Sequence, residues 1–128
     1  MVVDTHAFIW YCLGDSRLPS EVRAQIESAP DRVWVPTVCL WEAEMLVAKG
    51  RVELTHMDPG RYLLRVLRSA GFLEAPLTSE IAILSRQLPF RHEDPADRFI
   101  GATAVALAEP LATSDKDLRG LDFLTYAY

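Results

Sequence analysis

The sequence is poor in the residues that build zinc sites and disulfide frameworks. It has 2 cysteines and 3 histidines in 128 residues. Cys12 and Cys39 form no CxxC pair and have no zinc-ligand spacing to a histidine. Both lie in apolar stretches, so we expect buried thiols in a reducing compartment. His6, His56 and His92 are scattered, and we expect each to be a surface residue or a satisfied core residue.

The sequence also lacks a membrane segment and a positive net charge. No apolar run reaches the ~20 residues that cross a bilayer, and the N-terminus has no basic region or cleavage signal of a secretory leader. We therefore expect a cytoplasmic protein, with one domain over residues 1–128. The net charge of -5 disfavours direct binding to a polyanion. If the protein handles nucleic acid, divalent cations or a basic partner must reverse the charge locally.

Short apolar strands alternate with amphipathic helices along the chain. The predicted strands are residues 1–3, 32–35, 72–76, 110–113 and 122–126. The predicted helices are residues 6–13, 18–28, 38–49, 59–70, 79–88 and 95–108, with one helical turn at 114–118. The expected N-caps are Thr5, Thr37, Asp58, Thr78 and Asp94. This alternation predicts an α/β fold, in which a mostly parallel sheet has helices on both faces.

Three acidic residues lie at or just beyond the carboxyl ends of predicted strands, where parallel α/β sheets bind their ligands. Asp4 has apolar neighbours on both sides, so its carboxylate needs a partner, a metal ion or a shifted pKa. Glu42 lies in a helix that is apolar nearly all round, about 200° from Glu44, which we interpret as a solvated or salt-bridged residue. Asp115 directly follows the fourth strand, and Asp117 is a more peripheral acid. Hard divalent cations bind such carboxylates without histidine.

Asp97 has a structural interpretation as good as its functional one. Asp94-Pro95-Ala96-Asp97 is similar to a capping sequence, with Asp94 as N-cap and Asp97 at the third helical position. Arg98 and the apolar residues 99–102 direct this helix into the core. Asp97 is then held at a helix N-terminus, where negative charge is favoured. From the residues alone, capping and metal binding explain Asp97 equally well.

Four segments of the chain have the order and spacing of a known family. They are Val3 to Trp10, Leu40 to Ala43, Asp94 to Ile100 and Thr113 to Asp115. Together they resemble the PIN-domain family, specifically the VapC-type toxins of bacterial toxin–antitoxin pairs, over nearly the whole chain. Glu44 departs from the apolar or small residue that such members often carry. The resemblance implies a three-layer α/β/α sandwich with a mostly parallel central sheet.

The resemblance also implies an activity and a set of site residues. The activity is that of a ribonuclease that depends on Mg²⁺ or Mn²⁺. The metal-site acids would be Asp4, Glu42, Asp97 and Asp115. Thr5 and Ser114 would orient these acids, and Asp94 and Arg98 would flank them. One bound ion can activate water, and a second can stabilise the leaving oxygen.

The partners that the resemblance implies are RNA, a cognate antitoxin and a second copy of the chain, in a homodimer or a hetero-oligomer with the antitoxin. A groove for an antitoxin helix could be lined by Trp10, Tyr11, Trp41 and Met45. Of these we expect Trp41, more than Tyr11, to be a core residue instead. The stripe at 61, 65 and 68, all arginine, favours a solvated helix face over an RNA-backbone track.

The main alternative function is a non-catalytic regulatory or binding module on the same fold, and the presence of all four acids argues against it. A haloacid-dehalogenase-like phosphatase would need Asp-x-Asp at the first strand, where Thr5 and His6 follow Asp4. A receiver domain would need an acidic pair there and a lysine near its last strand. A flap-endonuclease-type enzyme would need a longer chain with more acids. The sequence does not distinguish one RNA class from another.

Overall fold

A parallel sheet of short strands forms the centre of the protein in a computed structural model that describes residues 1–55 and 58–128. The strands are β1 (Val2–Val3), β2 (Trp34–Pro36), β3 (Leu73–Ala75) and β4 (Leu111–Ala112). Their order across the sheet is β3-β2-β1-β4, and each neighbouring pair is parallel. The predicted α/β fold with a parallel central sheet is therefore confirmed.

The helices of the described part occupy the predicted positions to within two residues. They are α1 (Thr5–Leu13), α2 (Ser20–Ser28), α3 (Thr37–Ala48), α4 (Pro59–Ser69), α5 (Ser79–Gln87) and α6 (Pro95–Leu107), with a 3₁₀ turn at Pro30–Arg32. Three predicted caps are confirmed, because Asp58, Thr78 and Asp94 each accept backbone N–H groups of the first helical turn.

Two of the predicted caps were wrong. Asp4, not Thr5, is the N-cap of α1: it has extended backbone, and its Oδ1 accepts the N–H of Ala7 at 2.7 Å. Thr37 does not cap α3, which begins without a side-chain cap. Its hydroxyl instead donates to the carbonyl oxygen of Ala75 at 3.1 Å and so joins the ends of β2 and β3. In both cases the threonine is already the first helical residue, one position too late to be the cap.

The predicted C-terminal elements are shorter than expected. The predicted strand 122–126 is reduced to one parallel bridge between Leu111 and Tyr126, because residues 122–123 belong to a turn. The predicted helical turn at 114–118 is a turn over residues 116–120. The carbonyl oxygen of Asp115 accepts the N–H groups of Leu118 and Arg119 there, at 3.2 and 3.0 Å.

The order of the strands creates a reversal point between β1 and β4. The chain proceeds from β1 outward through β2 to β3, and then crosses to the other side of β1 to form β4. In open α/β sheets such a point leaves a crevice at the carboxyl ends of the strands, where ligands bind. The N–H of Asp4 donates to the carbonyl oxygen of Ala112 at 3.1 Å. This bond fixes the first residue after β1 against the end of β4.

Arg98 fixes the start of α6 against α5. The residue is only 6% exposed, and its Nε donates to the carbonyl oxygen of Ser85 at 2.7 Å. Its Nη1 donates to the carbonyl oxygen of His92 at 2.8 Å, and its guanidinium carbon lies 5.2 Å from the ring centre of Phe90. The arginine therefore satisfies carbonyl groups at the C-terminal end of α5, and it holds the loop that precedes Asp97.

The interior is apolar, as the helical patterns predicted. Leu18 before α2, and Val22 and Ile26 on it, repeat every four residues and are at most 2% exposed. Ile100 on α6 is fully buried. In the described part of the chain, no helix is both long enough and apolar enough to cross a membrane. His56, for which we expected a surface or core position, lies outside the described residues.

We predict unequal losses of stability from two identical truncations. Ile100→Ala empties a fully buried position on α6 and should lower the free energy of unfolding by about 2–5 kcal/mol. Ile83→Ala on α5 removes a side chain that is 55% exposed and should change it by less than about 0.5 kcal/mol. Urea denaturation followed by circular dichroism measures both values. Equal losses would contradict the position of α6 in the core.

Candidate active site

Asp4 lies at the reversal point of the sheet, almost completely buried. It is 5% exposed, and burial raises the pKa of its carboxyl, with a smaller contribution in the same direction from Asp115. Hydrogen bonds from the Thr113 side chain and from the N–H of Ala7, together with nearby His6, lower that pKa and partly offset the burial. Because burial disfavours the charged form of the Asp4 carboxyl, a bound cation would stabilise that form.

Thr113 connects Asp4 to Asp115. It is fully buried, its side chain hydrogen-bonds Asp4, and its Oγ1 accepts the N–H of Asp115 at 3.0 Å. The Asp115 Oδ1 in turn accepts the N–H of Asp117 at 2.8 Å. Thr113 thus has the orienting role that we expected of Ser114, whose hydroxyl lies 2.7 Å from the hydroxyl of Tyr128. Only its membership of the Thr-Ser-Asp segment pointed to Thr113 in the sequence.

Glu42 is the acid that α3 contributes. It is 9% exposed, whereas Glu44 faces solvent, as expected from the angle between them. Burial raises the pKa of Glu42, and the carboxylates of Asp94 and Asp4 raise it further. The Thr5 side chain is close enough to lower that pKa. Even so, the buried Thr5 Oγ1 makes no well-aligned hydrogen bond to any described residue.

Asp97 is an acid with a strongly raised pKa. Burial raises its pKa from 3.8 to about 8, and four other carboxylates contribute in the same direction. In decreasing order these are Asp115, Asp94, Glu42 and Asp4. Asp97 is therefore close to all the other acids, and the site contains five carboxylates rather than the four that the sequence predicted.

Asp94 is the fifth acid, and it does more than flank the site. One carboxylate oxygen each from Glu42, Asp94 and Asp97 lie within 4.8 Å of one another. Asp94 also caps α6, since its Oδ1 accepts the N–H of Ala96 at 2.9 Å. Capping and metal binding are thus compatible in this segment, because capping places the carboxyl of Asp94 beside those of Glu42 and Asp97.

His92 is a neighbour of the acids that we did not expect from the sequence. The N–H of Asp94 donates to its Nδ1 at 3.3 Å, which places the ring proton on Nε2. That Nε2 atom is buried and lies 3.2 Å from Asp97 Oδ2 and 3.7 Å from Asp117 Oδ2. No hydrophobic periodicity and no metal-ligand spacing in the sequence predicts this position of His92. It results from the loop before α6, which Arg98 holds in place.

The donor set suits a hard divalent cation. The site offers carboxylate oxygens on three sides, from β1, α3 and the start of α6, with Asp115 after β4. No lysine or arginine of the described residues forms an ion pair with any of these five acids. The hydroxyl of Thr5 and the Nε2 of His92 are buried polar atoms without an aligned partner in the described part. Mg²⁺ and Mn²⁺ prefer oxygen ligands such as these carboxylates.

Other predicted residues lie outside the acid cluster. The guanidinium of Arg98 points to backbone carbonyl groups and not to the carboxylates. Our expectation that Trp41 is a core residue was wrong, since it is 56% exposed. Tyr11 is half-buried and packs edge-on against Phe72, with ring centres 5.3 Å apart. The cysteines are free, and burial raises the pKa of the Cys12 thiol to about 12, so it is unreactive.

Comparison with known proteins agrees with this fold. Ribonuclease VapC22 of Mycobacterium tuberculosis is 29% identical over 122 residues, which cover 93% of this chain and 89% of that protein. A chain of VapBC2 from Rickettsia felis, solved with a DNA fragment from its promoter, has a TM-score of 0.70 at 13% identity, over 98% of this chain and 95% of that one. A chain of FitAcB from Neisseria gonorrhoeae has a TM-score of 0.63 at 20% identity, with the same coverage.

The two solved structures share the fold with this chain, at identities too low to carry a function. The sequence relative and the acid site point to the same family. The family model described as "PIN domain" matches residues 1–124. This chain therefore belongs to the PIN-domain family.

Proposed function

We propose that this chain is a metal-dependent ribonuclease that acts as the toxin of a toxin–antitoxin pair. The observation that carries the proposal is the convergence of five carboxylates at the reversal point of the sheet, with no arginine or lysine of the described part paired to them. An acidic cluster without its own counter-ion is costly to a fold unless cations offset it. The name of the M. tuberculosis relative supports RNA as the substrate.

We assign the metal ligands to Asp4, Glu42, Asp97 and Asp115, and we add Asp94 because its oxygen is near those of Glu42 and Asp97. Bound Mg²⁺ or Mn²⁺ would supply activation of water and neutralise charge on the phosphodiester in the transition state. The side chains of the protein position the acids and the ions that they would bind. Thr113 orients Asp4 and Asp115 through its hydroxyl.

Two further residues keep the acids in place for this role. The Nε2 of His92 lies 3.2 Å from Asp97 Oδ2, and its ring limits the space open to that carboxyl. Arg119 donates from Nε to the carbonyl oxygen of Thr113 at 3.0 Å, and so supports the loop of Asp115. Positioning residues of this kind around metal ligands typically change metal affinity roughly 10–100-fold when they are removed.

The toxin role is supported by two solved structures that share this fold. The R. felis structure is of VapBC2 and the N. gonorrhoeae structure is of FitAcB, and both share this fold. We propose a protein antitoxin as the natural partner of this chain. We also propose that the chain is active as a homodimer or is held in a hetero-oligomer with that antitoxin.

We expect the purified protein to cleave RNA with Mg²⁺ or Mn²⁺ and to be inactive in EDTA. Asp4→Asn should lower the rate at least roughly 10²-fold, because it removes one charge at the reacting centre. Asparagine is as good an N-cap as aspartate, so α1 should remain intact. The matched control is Asp31→Asn, an exposed acid outside the site. Cleavage in EDTA, or equal rates for the two variants, would contradict the metal site. No cleavage of RNA with either metal would leave the non-catalytic module as the better interpretation.

We expect the metal-free protein to lose stability as the pH rises from about 4 to 8. Since the pKa of Asp97 is raised from 3.8 to about 8, the folded state binds more protons than the unfolded chain in this window, and stability falls with pH. Mn²⁺ replaces the proton, so its stabilising effect should grow over the same window. Thermal melting in EDTA and in Mn²⁺ measures both trends.

Two variants test the cause of that trend. Asp97→Asn should flatten the decline of the melting temperature in EDTA, because a residue with a strongly raised pKa is gone. Asp122→Asn, an exposed acid far along the chain, should leave the decline unchanged. A metal-free melting temperature that rises steadily from pH 5 to 8 would exclude the repulsion among the acids.

The toxin role predicts a growth phenotype in bacteria. Induction of the chain should arrest growth, and induction of Asp4→Asn to the same protein level should not. Co-expression of a small gene from directly upstream should restore growth. Normal growth with active enzyme present at a comparable level would remove the toxin role, while leaving the nuclease activity in place.

A further inference from the structure

A small cavity opens directly beside the acids at the reversal point. Its volume is about 210 Å³, and it is lined by Asp4, His6, Trp10, Ser114 and Asp115. Drug-sized ligands occupy pockets of ~300–1,000 Å³, so this cavity suits a ligand with one small ring system. Because Asp4 and Asp115 belong to both, the cavity is continuous with the proposed cleavage site. We refer to it as the His6–Trp10 cavity.

The aromatic wall of this cavity is built by α1. His6 and Trp10 are four residues apart, and such residues lie on the same face of a helix. Their ring centres are 5.8 Å apart with an interplanar angle of 50°. His6 is exposed and Trp10 is half-buried, so both can contact a ligand. The helix begins at the residue after Asp4, which fixes this wall relative to the acids.

Arg17 holds the indole of Trp10 in position. Its guanidinium carbon lies 5.2 Å from the centre of the indole ring. The guanidinium is itself fixed by Asp15, with Nη2 2.7 Å from Oδ2 and a second bond from Nε at 3.1 Å. The aromatic wall is therefore ordered before a ligand arrives, which lowers the entropic cost of binding.

The aromatic side of the cavity determines the part of an RNA strand that it can receive. Asp4 and Asp115 form the other side, and we assign both to the metal that would hold the scissile phosphate. A base fits the aromatic side, and its N–H groups can donate to a hydroxyl oxygen such as that of Ser114. Bases of unpaired RNA stack on aromatic side chains, including histidine and tryptophan. A phosphate at the acids places the adjoining nucleotide next to this wall.

We propose that the His6–Trp10 cavity receives the unpaired nucleobase that adjoins the scissile phosphate. This inference rests on the proposed ribonuclease function and adds to it a base-binding subsite built by His6 and Trp10. A base within a duplex is stacked between its neighbours and cannot enter the cavity.

The test is a double-mutant cycle between the protein and its substrate. A short single-stranded RNA is compared with the same RNA carrying an abasic nucleotide, first on one side of the cleaved bond and then on the other. For one of these positions, the wild-type kcat/KM should fall roughly 5- to 150-fold. With Trp10→Ala the intact RNA should be cleaved correspondingly slower, and the abasic RNA should cause little further loss. Trp10→Phe should recover most of the difference.

Two controls separate stacking from a general effect on the fold. Trp41→Ala removes an exposed tryptophan outside the cavity, on α3, and should retain the full sensitivity to the abasic nucleotide. His6→Ala should reduce that sensitivity to a smaller extent than Trp10→Ala. Melting temperatures report whether each variant is folded.

The outcomes distinguish failure of this inference from failure of the proposed function. If the wild-type protein cleaves neither RNA with Mg²⁺ or Mn²⁺, the ribonuclease function itself fails. If it cleaves both, and Trp10→Ala slows both by the same factor, the residue is structural and the inference is overturned. It is also overturned if Trp10→Ala weakens binding of the antitoxin and leaves the abasic effect intact, since the occupant is then a protein segment.

Discussion

Mutual repulsion among clustered carboxylates is the constraint around which this molecule is organised. Two of the five acids, Asp4 and Glu42, are buried. The acids lie beyond the carboxyl ends of β1 and β4, within α3 and at the start of α6, and the pKa of Asp97 is raised by all the others. Arg98 and Arg119 belong to the same segments, yet both donate to backbone carbonyl groups. Neither arginine therefore neutralises the cluster, and the same feature explains how a chain with net charge -5 can act on a polyanion. Cations held there would attract the phosphate that the protein surface repels.

The scaffold around the acids is made mostly of neutral contacts. Thr113 bridges two of the acids, Asp94 both caps α6 and enters the cluster, and the loop before α6 is fixed by Arg98. These contacts are made by a neutral hydroxyl or are directed at backbone groups, so none of them brings a positive charge to the carboxylates. The contacts of the protein thus position the acids without balancing their charge. Cations from solution would balance it.

The sequence predicted the acids best where topology alone determines position. Asp4 and Asp115 follow strands whose carboxyl ends must meet at one edge of a parallel sheet, and Glu42 is a polar residue in an apolar helix. The sequence predicted positions poorly where they depend on the conformation of a loop or on a shift of one residue. Asp4 rather than Thr5 caps α1, and His92 reaches Asp97 only because the 90–93 loop folds back under Arg98. Trp41 is exposed although its helix is apolar nearly all round, because the pattern of an all-apolar helix does not show which of its faces the other elements cover.

The most direct test of the account is a count of the protons released when Mn²⁺ binds. Isothermal titration calorimetry at pH 7, repeated in buffers of different ionisation enthalpy, gives this number. Since the pKa of Asp97 is about 8 in the metal-free protein, saturable binding should release about one proton for each protein molecule. Asp97→Asn should reduce that release toward zero. Saturable binding that releases no proton, or no saturable binding of Mn²⁺ at all, would contradict the account.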